Sequence, residues 1–252
     1  MAREITLPEL LGSTFDNQLN SVYTSIPAII IAIRNNANEL AVDVQPAVNI
    51  KKRDGSVTER AQILNVPVQM PTSQTGGLTF QLNIGDPVWL HFSMAGLDTW
   101  KRSMGGTTTP GDFRKFDKRD CIAVPGTMPF GMSTNNPQRH VWPHDTKDVV
   151  LFHNLGSGQE TEIRLLATGG VVINTNQDVS VNCNSADVVA KSSVSIDTPS
   201  MVVNADTTSW SGNINHSGNF VNSGSVKSNG IVLDSHVHGG VDTGPGNTGG
   251  PQ

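Results

Sequence analysis

The chain has 252 residues, 36% of them hydrophobic, which is enough for one large or two small domains with real cores. Its formal net charge of -5 gives no global field that would draw in DNA or an acidic membrane surface, so nucleic acid is excluded as a partner class. The start, Met1-Ala2-Arg3-Glu4, lacks the marks of a secretory signal. The longest apolar run, Ile26 to Ile33, contains Pro27 and is too short to span a bilayer. The expected product is therefore made soluble in a cytoplasm and left there, or released by lysis.

In chain order, the first element is a short helix. Thr6 is placed to cap it, Glu9 sits at capping-box spacing, and Pro8 is tolerated in the first turn. Leu7, Leu11, Phe15, Leu19 and Val22 then share one helical face. From Ile26 the pattern turns to strands. Ile29-Ile30-Ile31 precedes a polar turn over Arg34 to Asn38, and Leu40-Val42-Val44 alternates after it. Asp54-Gly55 marks a second turn, between Val48-Asn49-Ile50 and a strand from Ile63 to Met70. Leu78, Phe80, Leu82 and Ile84 alternate as a further strand, and Gly85-Asp86 turns into Val88 to Phe92. Strands of this length with a helix at one end predict a small closed barrel of the OB type, with a plain β-sandwich as the competing architecture. Cys121 and Cys183 both sit in apolar-alternating sequence and read as two buried thiols rather than a disulfide.

The composition changes between residues 149 and 170. After Gly170, Glu and Arg vanish, Lys191 and Lys227 are the only basic residues, and Ser, Asn, Thr, Val and Gly dominate. Regular Val and Ile spacing argues against a disordered tail. Cut into eights from Val171 to Asp234, the sequence reads VVINTNQD, VSVNCNSA, DVVAKSSV, SIDTPSMV, VNADTTSW, SGNINHSG, NFVNSGSV and KSNGIVLD, a quasi-repeat of short strands. A single-chain β-helix needs roughly 20 or more residues per coil. Three chains giving about eight each would close one coil, direct an apolar face from every chain to a shared axis, and leave no open strand edge. This predicts an all-β homotrimer with an intertwined prism.

The end of the chain reads Asp234-Ser235-His236-Val237-His238-Gly239-Gly240, followed by a Gly/Pro-rich tail to Gln252. Residues i and i+2 of a strand share a face, so His236 and His238 project together. Two imidazoles make a weak site, but six from three chains suit an octahedral ion such as Fe(II) better than tetrahedral zinc.

At this point two separated motifs resemble a known family. His236-Val237-His238-Gly239-Gly240 with Thr248-Gly249-Gly250-Pro251-Gln252 is similar to the tip of the central spike proteins of contractile-tailed bacteriophages. Gly85-Asp86-Pro87-Val88-Trp89-Leu90-His91-Phe92-Ser93, then Leu97-Asp98-Thr99-Trp100 and Asp120-Cys121-Ile122-Ala123-Val124-Pro125-Gly126, looks like the N-terminal domain of one branch. The resemblance implies a helical segment at 1–24, an OB-fold-like barrel at 25–130, a linker at 131–148, a triple-stranded β-helix at 149–234 and a metal-binding apex at 235–252. It implies a homotrimer in the virion, a baseplate hub protein bound through the barrel, and mechanical puncture of the host outer membrane. It also implies one iron ion per trimer held by His236 and His238 of each chain. Relatives carry further ions along the spike, which no motif here places. Larger relatives carry a lysozyme domain, for which this chain has no room.

The rival readings are an enzyme and a tail-spike adhesin that binds or cleaves polysaccharide. No Gly-x-Ser-x-Gly elbow, His-Glu-x-x-His or phosphate loop occurs, and Glu is absent after Glu162, so paired catalytic carboxylates are not expected. His140-Val141-Trp142-Pro143-His144 with Asp145 has metal-ligand residue types, but Pro137 and Pro143 mark it as a rigid linker. An adhesin would need a recognition surface, and Trp210 and Phe220 are the only large aromatics after residue 170. The basic residues Lys101, Arg102, Arg114, Lys115, Lys118 and Arg119 are interleaved with Asp112, Asp117 and Asp120, the pattern of a solvated loop.

Overall fold

The computed structural model describes residues 6–36, 39–52 and 54–236, and the chain divides into two units, Met1–Cys183 and Asn184–Gln252. The first unit opens with helix α1, Leu7–Asn20. Its capping box forms as the spacing predicts: the Thr6 N–H and hydroxyl both donate to Glu9 Oε2 at 3.0 Å. Leu7, Leu11, Phe15 and Leu19 remain exposed on it.

Strands β1 (Ser25–Asn36), β2 (Glu39–Pro46), β3 (Ile50–Lys51), β4 (Val57–Thr58), β5 (Ile63–Pro67) and β6 (Pro87–Phe92) follow, then a helical turn α2 (Asp98–Lys101) and β7 (Cys121–Pro125). The main sheet runs β5-β2-β1-β6-β7. It closes through a parallel bridge between Val68 and Ala123, where the Gln69 N–H donates to the Ala123 carbonyl at 2.9 Å. That order, with first and last strands meeting in parallel, is the OB-fold Greek-key barrel. Alternation supplies most of its filling: Ala28 and Ile30, Val42 and Val44, Val88 and Leu90, and Cys121 and Ala123 form one core cluster with Ile63 and Val66, which are three apart across Asn65 at φ +55.

Three local expectations change. Arg34, Asn35 and Asn36 lie inside β1 rather than in a turn, because the β1–β2 ladder continues to Asn36↔Glu39. Arg34 is held there by two 2.8 Å bonds to Asp43. Residues 37 and 38 of the expected turn lie outside the described residues. The Leu78–Ile84 alternation makes no strand; the barrel is already closed, and only Leu82 enters the core while Leu78, Phe80 and Ile84 stay exposed. Of the two cysteines only Cys121 is buried; Cys183 is exposed. The Asp54-Gly55 turn forms between β3 and β4, with Gly55 at φ +84.

After short 3-10 turns at Phe130–Met132 and Pro137–Arg139, a three-stranded meander forms from β8 (Val149–His153), β9 (Thr161–Leu165) and β10 (Val171–Thr175). From residue 176 to 225 the described chain forms no strand and no backbone-to-backbone hydrogen bond with itself. All its Val, Ile, Met, Trp and Phe residues are exposed, Val189 to 94% and Val221 to 91%. In the second unit a small hairpin pairs β11 (Lys227–Ser228) with β12 (Ile231–Val232). The chain is thus all-β with one long helix, as its patterning indicates.

Candidate functional site

Two places carry histidines with metal-ligand character. The first is the sequence-predicted tip. His236 follows the β11–β12 hairpin and is exposed, and its Nδ1 lies 2.9 Å from the Leu233 carbonyl. A carbonyl only accepts, so Nδ1 is the donor in this contact. His238 and the rest of the tail, 237–252, lie outside the described residues.

The second was read in the sequence as a linker. His140 (6% exposed), Glu160 (0%) and Glu162 (1%) are buried, with Arg164 beside them. Glu160, at the entrance to β9, accepts from the Val141 N–H at 3.0 Å and the Gly156 N–H at 2.6 Å, and its other oxygen lies 2.9 Å from His140 Nδ1. Burial alone would raise the Glu160 carboxyl, but those two N–H groups and His140 outweigh it and hold it below its usual range. His140 Nε2 lies 3.0 Å from the Thr134 carbonyl. Both of its partners are acceptors, so the ring satisfies both only by donating from both nitrogens.

Glu162 Oε1 accepts from Arg164 and from Asn174 Nδ2, the latter at 2.7 Å. Arg164 also donates to the Trp142 carbonyl at 2.9 Å. The His144 ring meets His140 edge-on at 4.6 Å, and Phe152 packs on His140 at 5.0 Å in the same manner. Burial, reinforced by positive His140 and Arg164, pushes the His144 imidazole below its usual value and so favours its neutral form.

His140, His144 and Glu162 each bring a ligand-type atom within 4.8 Å of the others. The donor set is of a metal-binding kind, but His140 has both nitrogens engaged and Glu162 shares an oxygen with a guanidinium. The two buried carboxylates are met by His140 and Arg164 from the chain itself. What the arrangement does is fasten residues 131–148 to the β8–β10 sheet by charge-assisted bonds, with His144 Nδ1, Glu162 Oε2 and Arg164 Nε buried without a hydrogen-bond partner. A sequence signal for it exists: Glu162 and Arg164 fall on one face of β9, alternating with Ile163 and Leu165 on the other.

Three of the basic residues between 101 and 120, Lys101, Arg114 and Arg119, are internally engaged. Arg114 contacts Asp98 at 2.6 Å and Asp112 and Asp120 at 3.2 Å each. Arg119 pairs with Asp117 at 2.8 Å, and its side-chain hydrogen bond draws the Asp117 carboxyl down to about 2. Lys101 Nζ donates to the Arg119 carbonyl at 3.2 Å. These pairs fold the long β6–β7 connection on itself rather than present a field to a polyanion.

With this geometry in place, two comparisons with known families match. Residues 26–126 match the family described as Phage protein Gp138 N-terminal domain, nearly the same span as the barrel from β1 to β7. Residues 230–252 match the GpV Apex motif, a span that contains His236 and His238. No curated protein matches the chain.

Proposed function

We propose a function for what the two matches make of this chain, a bacteriophage baseplate spike protein and so a component of the virion: three copies form a rigid needle that punctures the host outer membrane mechanically when the tail contracts. The observation that carries this reading is the stretch from 176 to 225. Apolar residues recur along it at strand-like spacing, yet within one chain they find neither burial nor a backbone partner. Such a segment is stable only when other copies supply the missing ladder and the missing core. Three chains wound about one axis supply both, and no chain then peels away without breaking bonds to two others.

The barrel seats the needle on a hub protein of the baseplate, and force passes from it along the prism to the tip. At the tip His236 and His238 of each chain would hold one iron ion through six imidazoles. An ion bound there contributes charge and directional bonds that pin three C-termini to one point, and its binding energy becomes folding energy for that end. The chain's own part is to orient the His236 ring through its Nδ1 contact with the Leu233 carbonyl at the end of the β11–β12 hairpin. On this reading the protein works by position and stiffness and is not an enzyme.

Electron microscopy of virions carrying a small tag in the exposed loop at Thr108 tests the placement. Tag density around the tail axis, beneath the baseplate centre, is the expected result. Tags at the baseplate periphery would instead mark an adhesin and overturn the puncture reading.

A further inference from the structure

We propose that the exposed aliphatic face of the β8–β10 sheet is the clamp that sets the register of the trimer, with two further copies of this chain as its occupants; this rests on the trimeric reading above. The three strands align in common rows. Val149, Leu165 and Val171 form one row, and Leu151, Ile163 and Ile173 form the next. All six are exposed, from 42% at Ile163 to 66% at Val171. The third row, His153, Thr161 and Thr175, is polar but carries no carboxylate, lysine or arginine. The opposite face is already closed by Phe152, Glu162, Arg164 and Asn174 against residues 131–148. One face of the sheet is therefore buried or half-buried, while the other is a continuous aliphatic surface of a kind monomers rarely leave in water.

The occupant follows from three features. The face has no fixed charge for a foreign partner to match, and an aliphatic grid is complementary to copies of itself. It leads without a break in the chain, through Thr175, into the segment whose own missing partners call for further copies. Finally, the eight-residue blocks after Val171 resemble one another, so three chains could slide by a block and still bury Val against Val. A quasi-repeat cannot set its own zero. Strands β8 and β9 precede the quasi-repeat, which begins with β10, and β9 is tied down by the His140–Glu160 and Glu162–Arg164 pairs, so closure of this sheet about the axis fixes which block meets which.

The test uses the full chain with Cys183 replaced by Ser; the remaining Cys121 is buried in the barrel. Ile163→Cys places a thiol in the middle of the face, and Thr108→Cys is the control on an exposed loop. A short bis-maleimide should join Ile163→Cys chains into covalent dimers and leave Thr108→Cys chains single. Separately, Leu151→Glu with Ile163→Glu should sediment as a monomer at concentrations where the parent is wholly trimeric, with the tip histidines intact. A trimeric parent in which Ile163→Cys fails to cross-link, or a double-Glu chain that stays trimeric, would overturn the clamp while leaving the trimer standing. A monomeric parent would remove the trimer and the clamp together. Should the double-Glu chain fail to fold, the cross-linking result decides.

Discussion

Replacing Glu160 by Ala should destabilise the first unit more than any exposed substitution in the chain. The carboxylate is fully buried and serves three donors: the Val141 N–H, the Gly156 N–H and His140 Nδ1. Each buried donor left unmade costs about 1–3 kcal/mol. The sum would be about 3–9 kcal/mol, but water reaches the rim near Val141, and breaking a buried ion pair by removing one partner typically costs about 3–5 kcal/mol. We expect about 3–5 kcal/mol. Glu160→Gln keeps one carbonyl acceptor but turns an amide N–H toward another donor, so it should lose most of the same stability. Urea unfolding at fixed protein concentration, followed by the fluorescence of half-buried Trp142 beside the cluster, gives the difference by linear extrapolation. A Glu160→Ala midpoint within about 0.5 kcal/mol of the parent, the range of ordinary surface changes, would refute the claim that this network holds 131–148 in place.

Acid should destabilise the first unit, through the barrel as well as this network. The Arg34 hydrogen bond outweighs burial and holds Asp43 below its usual value, and Glu160 is likewise depressed, so both contribute stability above pH about 4.5 that is lost as pH falls through their folded values. Half-buried His144, also depressed, extends the loss upward, because from its ordinary 6.5 downward the unfolded chain binds the proton more readily. Thermal midpoints should thus be level above pH 7 and fall continuously below it; a maximum near pH 4 would contradict the assignment. In the barrel, Leu90→Ala removes a fully buried side chain between Ile26 and Ala123 and should cost about 2–5 kcal/mol in the same urea assay, with an unchanged midpoint counting against the core described. Burial pushes the Cys121 thiol up to about 11, so a thiol reagent at neutral pH should leave it untouched in the native protein and label it only in denaturant. Immediate labelling of Cys121 in the native protein would place it outside the core.

The features legible in the sequence were those with a local cause. The Thr6–Glu9 capping box, the Asp54-Gly55 turn and the alternation through Ile30, Val44 and Leu90 each depend on neighbours a few residues away. Leu78 to Ile84 has the same alternation and is no strand, because strand formation needs an open edge and the Val68–Ala123 bridge has already closed the barrel. That bridge joins residues far apart in the chain, and no short pattern announces it. The histidine–carboxylate cluster escaped for a related reason. His140 reads as part of a Pro-punctuated linker, and its pairing with Glu160 depends on a tertiary contact between residues 20 apart. Conversely, the valines from 179 to 221 signal burial that one chain does not provide, which is why pattern and single-chain structure differ most there.

The central claim, a trimeric needle closed by a metal at its tip, is tested most directly by native mass spectrometry of the purified full chain combined with elemental analysis. A mass of three chains carrying one iron, with the iron lost when His236 and His238 are both changed to Ala, is the predicted result. A metal-free monomer would contradict both the shared prism and the six-imidazole tip.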